Sequence, residues 1–276
     1  MKQLLLPLLL LAPAPAIAAE PAIDPHVHLW TGQESIDAYE KQVAETGESV
    51  RRFGGVLMAT AGDPDKTRAA NDALLALARA NPRMFPVASV HPYDGEAAIA
   101  ELRRLAKAGV TVIKLHPHSQ KFDVTDPRVL ALCTEAGVLG IVVMLDNANI
   151  IAGDSENLFN LAVQAPRTKF LFTHMGAGNF RFWGIIPLAR TTSDFWPDNI
   201  WFDISATITL YADSPVEPEF VWTMRQIGTD RIILASDYPQ FSFAQSGEAL
   251  EKLDLTPAER RAIRHDNAAK LLRTGD

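Results

Sequence analysis

The feature of this sequence that most constrains its fold is a regular alternation of short apolar runs with amphipathic helical stretches. Strands that alternate with helices at this spacing predict a parallel sheet. The eight predicted strands lie at residues 23–30, 53–59, 84–90, 110–116, 140–145, 169–173, 200–204 and 231–235. Eight such units predict an α/β fold of the (β/α)₈ TIM-barrel type. A doubly wound open sheet is the alternative.

Helices are predicted where apolar residues recur at helical spacing. In residues 96–108, Ile99, Leu102 and Leu105 share one face, and Gly109 suits the C-terminal end. The predicted helices cover residues 36–46, 65–80, 96–108, 127–135, 156–164 and 218–227. Residues 178–198 are too long for a simple connection and rich in aromatic side chains, so we expect them to lie over the mouth of the barrel.

The first nineteen residues have the pattern of a secretory signal peptide. Lys2 precedes a short leucine-rich run, and Ala16-Ile17-Ala18 forms a cleavage site of the A-x-A type. The run is too short to span a bilayer, although an uncleaved anchor is the alternative. We therefore expect a signal peptide over residues 1–19 and a barrel domain over residues 20–276, located in the periplasm or secreted.

Composition narrows the classes of partner. The chain has 276 residues, of which 47% are hydrophobic, enough for one large domain. Its net charge of −7 argues against a general nucleic-acid binder. Cys133 is the only cysteine, which excludes an internal disulfide. We expect a small-molecule substrate, no nucleic acid and no membrane for the mature form. The oligomeric state stays open, with a homodimer among the alternatives.

The first predicted strand contains the sequence Asp24-Pro25-His26-Val27-His28. Alternate side chains of a strand point to the same face, so His26 and His28 can aim at one point with Asp24 behind them. Two converging neutral imidazoles can bind a cation of the zinc, iron, manganese or nickel type. The simpler alternative is a polar strand end with two surface histidines.

Further polar residues follow the carboxyl ends of the other predicted strands. In a barrel these positions face the active site. Lys114 lies inside an apolar strand, where an unpaired ammonium is costly, so it should face the lumen and meet a carboxylate or a substrate. The candidates at these ends are Lys114, His116, His118, Asp146, His174 and Asp237.

With these residues in place, the chain resembles the amidohydrolase superfamily, and within it the amidohydrolase-related branch. That branch includes aminocarboxymuconate-semialdehyde-type decarboxylases and lactone hydrolases. The likeness covers nearly the whole predicted mature chain in order. The segments that resemble the family are Asp24-Pro25-His26-Val27-His28-Leu29-Trp30, Ile113-Lys114-Leu115-His116-Pro117, Thr173-His174-Met175-Gly176, Ala235-Ser236-Asp237-Tyr238-Pro239 and Asn267-Ala268-Ala269-Lys270-Leu271-Leu272.

The resemblance implies a (β/α)₈ barrel with a metal held by His26, His28 and Asp237, and a role for His174 in activating or orienting a metal-bound water. One position departs from the family, because decarboxylase-type relatives usually have a metal-binding histidine where this chain has Asp146. A carboxylate can replace imidazole as a ligand, so Asp146 joins the predicted ligands. Some lactone-hydrolysing relatives work without metal. Binuclear relatives use a carbamylated lysine near the position of Lys114.

Our leading expectation is a metal-dependent hydrolase of a small amide, ester or lactone. The cofactor would be a divalent metal ion, zinc by expectation, with manganese or iron as alternatives. Asp237 would act as general base and ligand, and His174 would stabilise or protonate the oxyanion. Lys114, His116 and Trp30 are the predicted substrate contacts. The alternatives are a non-oxidative decarboxylase that uses the same metal and a binding protein without turnover.

Overall fold

The computed structural model describes residues 21–58, 62–192 and 194–273. Its eight strands form one parallel sheet in which each strand pairs with its neighbours in sequence. A bridge between Val27 and Tyr238 joins the region after the last strand to the first. The predicted (β/α)₈ barrel is therefore confirmed. The strands are β1 (Ala22–His28), β2 (Val50–Val56), β3 (Met84–Ser89), β4 (Val112–Leu115), β5 (Val142–Leu145), β6 (Phe170–Phe172), β7 (Ile200–Asp203) and β8 (Ile232–Ile233).

Helices surround the sheet, and all six predicted helices are present, with ends that differ by a few residues. Side-chain caps begin several of them, as where Asp63 accepts a hydrogen bond from the Lys66 amide at the start of the second helix. The helices are α1 (Gln33–Thr46), α2 (Pro64–Ala80), α3 (Glu96–Lys107), α4 (Pro117–Gln120), α5 (Pro127–Leu139), α6 (Asp154–Gln164), α7 (Ile186–Ala189), α8 (Thr207–Tyr211), α9 (Glu217–Ile227), α10 (Phe243–Lys252), α11 (Pro257–Arg261) and α12 (Asn267–Leu272).

Two apolar clusters explain how the strands position polar side chains. The larger cluster lies between the sheet and the helices, and the smaller one fills the barrel and meets α12. Val112, Met144 and Leu171 belong to the smaller cluster. The residues two positions further along each strand face the same way. The lumen therefore changes from apolar to polar toward the carboxyl ends of the strands, where Lys114, Asp146 and Thr173 follow those residues.

Strand β1 is irregular at Pro25, and this changes one sequence-based prediction. Asp24 pairs with Phe53 but Val27 pairs with Gly55, so β1 has one extra residue opposite β2. Proline cannot donate to the ladder, and an extra residue reverses which face the following side chains use. His26 and His28 face the lumen, whereas Asp24 contacts Tyr39 of α1. The prediction that all three share one face was wrong for Asp24.

The aromatic segment after β6 lies against the outside of the barrel. A 3₁₀ segment, Thr173–Ile185, precedes α7. The ring of Trp183 is fully buried, 4.7 Å from Phe202 and 5.5 Å from Phe172, between centroids. The prediction that this segment lies over the mouth was wrong, because Trp183 is buried against β6 and β7 and Trp196 stacks on Phe159 of α6.

Two predictions concern the chain ends and the membrane. The predicted signal peptide at residues 1–19 lies outside the described residues. Within the described ranges, no helix is both long enough and apolar enough to cross a bilayer.

Candidate active site

A cavity of about 470 Å³ opens at the carboxyl ends of the strands. It brings together eight of the nine residues that the sequence predicted for the site, all except His118, whose imidazole contacts Asp154 instead. A second cavity of about 260 Å³ shares His116, Asp146, His174 and Asp237 with it. The larger cavity is lined by His26, His28, Trp30, Leu57, Met58, Lys114, His116, Ser119, Gln120, Asp146, His174, Asp237 and Gln240.

Two imidazoles and one carboxylate converge in this cavity. The Nε2 atoms of His26 and His28 each lie 3.3 Å from Oδ1 of Asp237. Ligands of one zinc-type ion, each about 2.0–2.2 Å from it, lie roughly 3.0–3.5 Å from one another. His26, His174 and Asp237 also offer ligand atoms that lie within 4.8 Å of one another. We call His26, His28 and Asp237 the metal-type cluster, because their convergence suits a divalent cation.

The orientation of His26 supports the same conclusion. Its Nδ1 lies 3.2 Å from Oδ2 of Asp203, so Nδ1 holds the proton and Nε2 keeps its lone pair toward the cavity. Burial and the charge of Lys114 lower the pKa of His26 to about 4, although Asp237 and Asp203 oppose this shift. A neutral imidazole oriented by a carboxylate is the usual form of a metal-binding histidine. The residues therefore fit a divalent metal.

Lys114 lies beside this group. Its side chain is buried, and its Nζ lies 3.3 Å from Nε2 of His26 and 3.2 Å from Oγ1 of Thr173. Burial lowers the pKa of Lys114, while the carboxylates of Asp146, Asp203 and Asp237 act in the opposite direction. The ammonium of Lys114 thus lies beside Nε2 of His26, the same atom that faces Asp237.

His174 has oxygen acceptors at both ring nitrogens. Nδ1 donates to the carbonyl oxygen of Ser205 at 3.1 Å, and Nε2 lies 3.4 Å from Oδ1 of Asp146. Burial alone would lower the pKa of His174, but the contact with Asp146 and the charges of nearby carboxylates raise it to about 9. Its backbone has a φ of 63°, a strained conformation found often at functional sites. The ring is held as a proton donor.

Asp146 lies against His174 and is not among the residues His26, His174 and Asp237 whose possible ligand atoms lie within 4.8 Å of one another. Although burial opposes its ionisation, the hydrogen bond with His174 and the charge of Lys114 hold the pKa of Asp146 well below its usual range. Its Oδ2 is buried, has no hydrogen-bond partner among the described residues, and lies 3.7 Å from Nδ1 of His116. The role of Asp146 as a metal ligand stays a prediction.

Asp237 lies four residues beyond the end of the last strand, β8. Burial opposes its ionisation, but the surrounding imidazoles of His26, His28 and His174 lower the pKa of Asp237. Its φ of 62° also lies in the left-handed region. A carboxylate with a lowered pKa is a good cation ligand and a weak base.

The remaining predicted contacts line the wall of the cavity. The indole of Trp30 stacks on the imidazole of His28, with centroids 4.8 Å apart and planes 3° from parallel. Trp30 is also 59% exposed, so its other face is open to a ligand. Burial lowers the pKa of His116 to about 4, against the attraction of Asp146.

Sequence reasoning missed Asp203 and Ser205. Asp203 is fully buried, and its Oδ1 accepts hydrogen bonds from the amides of His174 and Ser205. The available signal was the same as for Asp146 and Asp237, a carboxylate at the end of an apolar strand. It was lost because the predicted strand continued to Ile204.

A family model described as Amidohydrolase matches residues 23–274. The chain belongs to the amidohydrolase family. The match covers every residue of the cavity, so the resemblance inferred from the sequence is confirmed for this amidohydrolase.

Solved structures of low sequence identity have the same fold. The chain is similar to 2,6-dihydroxybenzoate decarboxylase from Rhizobium, with 18% identity, a TM-score of 0.71, and coverage of 93% of this chain and 99% of that one. It is similar to 5-carboxyvanillate decarboxylase from Sphingomonas paucimobilis, with 16% identity, a TM-score of 0.68, and coverage of 93% and 99%. It is also similar to dihydroxybenzoic acid decarboxylase from Polaromonas sp. JS666 with bound manganese and the inhibitor 2-nitroresorcinol, with 16% identity, a TM-score of 0.69, and coverage of 93% and 97%.

These comparisons correct the leading expectation from the sequence. A hydrolase of a small amide, ester or lactone was expected, and that expectation was wrong, because the three similar enzymes are decarboxylases. The side chains that converge on Asp237 fit a divalent metal ion, and the dihydroxybenzoic acid decarboxylase from Polaromonas holds manganese.

Proposed function

We propose that this amidohydrolase is a metal-dependent, non-oxidative decarboxylase of a small carboxylated substrate. The observation that carries the proposal is His174, whose two ring nitrogens both face oxygen acceptors. Loss of CO₂ leaves an electron pair on carbon that must take up a proton, so a lyase needs a proton donor beside the reacting carbon. His174 meets that need, and the weak base Asp237 does not suit proton removal from water.

The metal would be held by His26, His28 and Asp237. When bound, it would supply a cation that polarises an oxygen of the substrate. The donor set suits zinc and manganese alike, and the relative that holds manganese makes Mn²⁺ the first ion to test. Asp203 would keep His26 in the tautomer that presents Nε2 to the cavity.

The side chains of the cavity divide the remaining tasks. Lys114 would attract the substrate carboxylate, and the open face of Trp30 would stack on a planar substrate body. The bond between the carboxylate and its carbon would break, and its electron pair would stay on that carbon and take the proton of His174 Nε2. CO₂ would leave, and His174 would regain a proton from solvent while Asp146 keeps the ring oriented.

The experiment is a CO₂ release assay with Mn²⁺ on 2,6-dihydroxybenzoate, 5-carboxyvanillate and simpler aromatic carboxylates. In D₂O, deuterium should appear at the carbon that loses CO₂. His174→Gln should lower the rate by about 10²-fold or more, and His265→Gln, outside the cavity, should not. Turnover of an ester or lactone by water without any CO₂ release from the panel would refute the proposal.

A periplasmic or secreted location also remains a proposal, supported by the pattern of Lys2, the leucine run and Ala16-Ile17-Ala18. Cell fractionation with N-terminal sequencing tests it. A mature terminus near Ala19 outside the cytoplasm is expected, and an intact Met1 terminus in the cytoplasm would contradict it.

A further inference from the structure

Lys114 makes two contacts that lead to an inference beyond its place in the cavity. Its Nζ donates to Nε2 of His26 and to Oγ1 of Thr173, at 3.3 and 3.2 Å. An ammonium has three donor hydrogens. These two acceptors leave one hydrogen without a partner among the described residues, on a side chain that lines the cavity.

The contact with His26 uses the atom that a metal would need. Because Nδ1 of His26 gives its proton to Asp203, the only lone pair of the ring is on Nε2. That lone pair cannot bind a cation and accept a hydrogen bond from an ammonium at the same time. A second cation beside the ligands also repels the first. Lys114 and a metal therefore compete for His26.

An ammonium displaced from His26 needs a new acceptor, because an unpaired buried charge is costly. Thr173 can keep one hydrogen bond. The substrate carboxylate assumed in the proposed function is the acceptor that would enter the same cavity. The charge of a carboxylate also makes it a stronger partner than a neutral imidazole.

We propose that Lys114 couples the two binding events: its ammonium occupies Nε2 of His26 in the metal-free protein and turns to the substrate carboxylate when a metal takes that nitrogen. The inference rests on the proposed function for the nature of the substrate. In this scheme Lys114 weakens the binding of a metal ion on its own. It strengthens the binding of a metal ion when a carboxylate is also bound. Each ligand should then raise the affinity for the other.

Calorimetric titration of Mn²⁺ into the metal-free protein tests this coupling, with and without saturating benzoate. Benzamide has the same ring without the charge and is the control ligand. The variants are Lys114→Met and, against the chance of misfolding, Lys114→Gln. Lys169→Met is the matched control, because Lys169 precedes β6 at the opposite end of the barrel and does not line the cavity.

In the wild type, benzoate should raise the affinity for Mn²⁺ by about fivefold or more, and benzamide should not. Without ligand, Lys114→Met should bind Mn²⁺ about tenfold more tightly than wild type, because a charged hydrogen bond no longer competes. The effect of benzoate should shrink in Lys114→Met and Lys114→Gln and persist in Lys169→Met.

Weaker Mn²⁺ binding by both Lys114 variants would make the lysine a ligand, as in relatives with a carbamylated lysine, and would overturn the inference. Unchanged affinity, or an undiminished effect of benzoate in the variants, would overturn it too. The proposed function is judged separately. CO₂ release without coupling refutes only the role of Lys114, and coupling without CO₂ release refutes only the lyase.

Discussion

Asp203, at the end of β7, orients His26 on β1 across the barrel, with its Oδ2 3.2 Å from Nδ1 of the imidazole. The other oxygen of the same carboxylate accepts from the amide of His174. One buried side chain thus sets the tautomer of a predicted metal ligand and the position of the predicted proton donor. The hydrogen bond with His26, together with the imidazolium of His174 and the charge of Lys114, holds the pKa of Asp203 low despite its burial.

Replacing Asp203 with Asn should weaken metal binding. The amide oxygen should stay with the amides of His174 and Ser205, which leaves the amide NH₂ facing Nδ1 of His26. That nitrogen must then accept, and the proton moves to Nε2, where it blocks the lone pair. We expect the affinity for Mn²⁺ to fall by about 10–100-fold, measured by calorimetry.

Asp154→Asn is the control, because Asp154 also contacts a histidine, His118, at 3.0 Å but outside the metal-type cluster. Its affinity for Mn²⁺ should match the wild type. Equal affinities for Asp203→Asn and wild type would show that the carboxylate does not set the tautomer of His26.

The raised pKa of His174 predicts a pH dependence of stability in the metal-free protein. The pKa of His174 in the folded protein is about 9, above its usual value of 6.5. Protonated His174 therefore stabilises the fold fully below about pH 6.5, and this contribution disappears as pH rises through 9. It should reach roughly 3 kcal/mol, at about 1.4 kcal/mol for each pH unit between the two pKa values.

Urea unfolding of wild type and His174→Gln at pH 6 and pH 9.5 measures this effect. The wild type should lose more free energy of unfolding than the variant over that interval, and the difference between the proteins should be largest at pH 6. A variant that loses as much as the wild type would mean that His174 is neutral throughout.

Trp30 should report metal binding through its stacking on His28. Mn²⁺ is paramagnetic and quenches nearby indole fluorescence, so binding at His28 should dim Trp30. Trp30→Phe should remove most of the quenching seen on titration with Mn²⁺. Trp222→Phe is the control, because Trp222 on α9 has similar exposure, 57%, and does not line the cavity. Equal quenching in both variants would place the metal away from His28.

Much of the barrel was predictable because parallel strands buried on both faces have continuous apolar runs. Polar residues that end such runs, among them His28, Lys114 and Asp237, could therefore be assigned to one end of the barrel. Asp203 was missed because the apolar residues on both sides made the strand seem to continue. Its partner His26 is 177 residues away in sequence, so no local pattern joins them.

The position of Asp24 was not predictable from alternation, because the irregularity at Pro25 reverses the face. The reaction was also beyond the sequence. Hydrolysis and decarboxylation can both use the same metal-type cluster, and the proposed lyase differs in needing a protonated side chain beside the reacting carbon. That depends on Ser205 and Asp146 around His174, a packing arrangement that no motif records.

Asp146→Asn should separate catalysis from metal binding. Asp146 contacts His174 at 3.4 Å and lies outside the group that contains Asp237. Mn²⁺ affinity should stay close to wild type, whereas CO₂ release should fall by about 10²-fold or more because the amide holds the imidazolium less well. Asp237→Asn is the comparison, and it should lose the metal. If Asp146→Asn loses the metal to the same degree, the ligand role predicted from the sequence is correct.

The contact between Ser236 and Asp24 should stabilise the closure of the barrel. Ser236 Oγ donates to Oδ2 of Asp24 at 2.6 Å, its amide donates to Oδ1 at 3.0 Å, and Tyr39 donates to Oδ2 at 2.8 Å. Burial raises the pKa of Asp24 to about 6 although these donors lower it. The carboxylate therefore depends on its donors once it is charged.

Ser236→Ala should lower the free energy of unfolding by about 1–3 kcal/mol at pH 8, where Asp24 is charged and loses a donor. At pH 5 the loss should be smaller, because Asp24 is then mostly protonated and needs that donor less. Ser246→Ala is the matched control, since Ser246 is buried and its Oγ has no hydrogen-bond partner among the described residues. Urea unfolding at both pH values measures the difference. The hydroxyl of Ser236 also accepts a hydrogen bond from the amide of Tyr238 at 3.1 Å. An equal loss of stability in Ser236→Ala at pH 5 and pH 8 would mean that the hydroxyl supports this backbone and not the charge of Asp24.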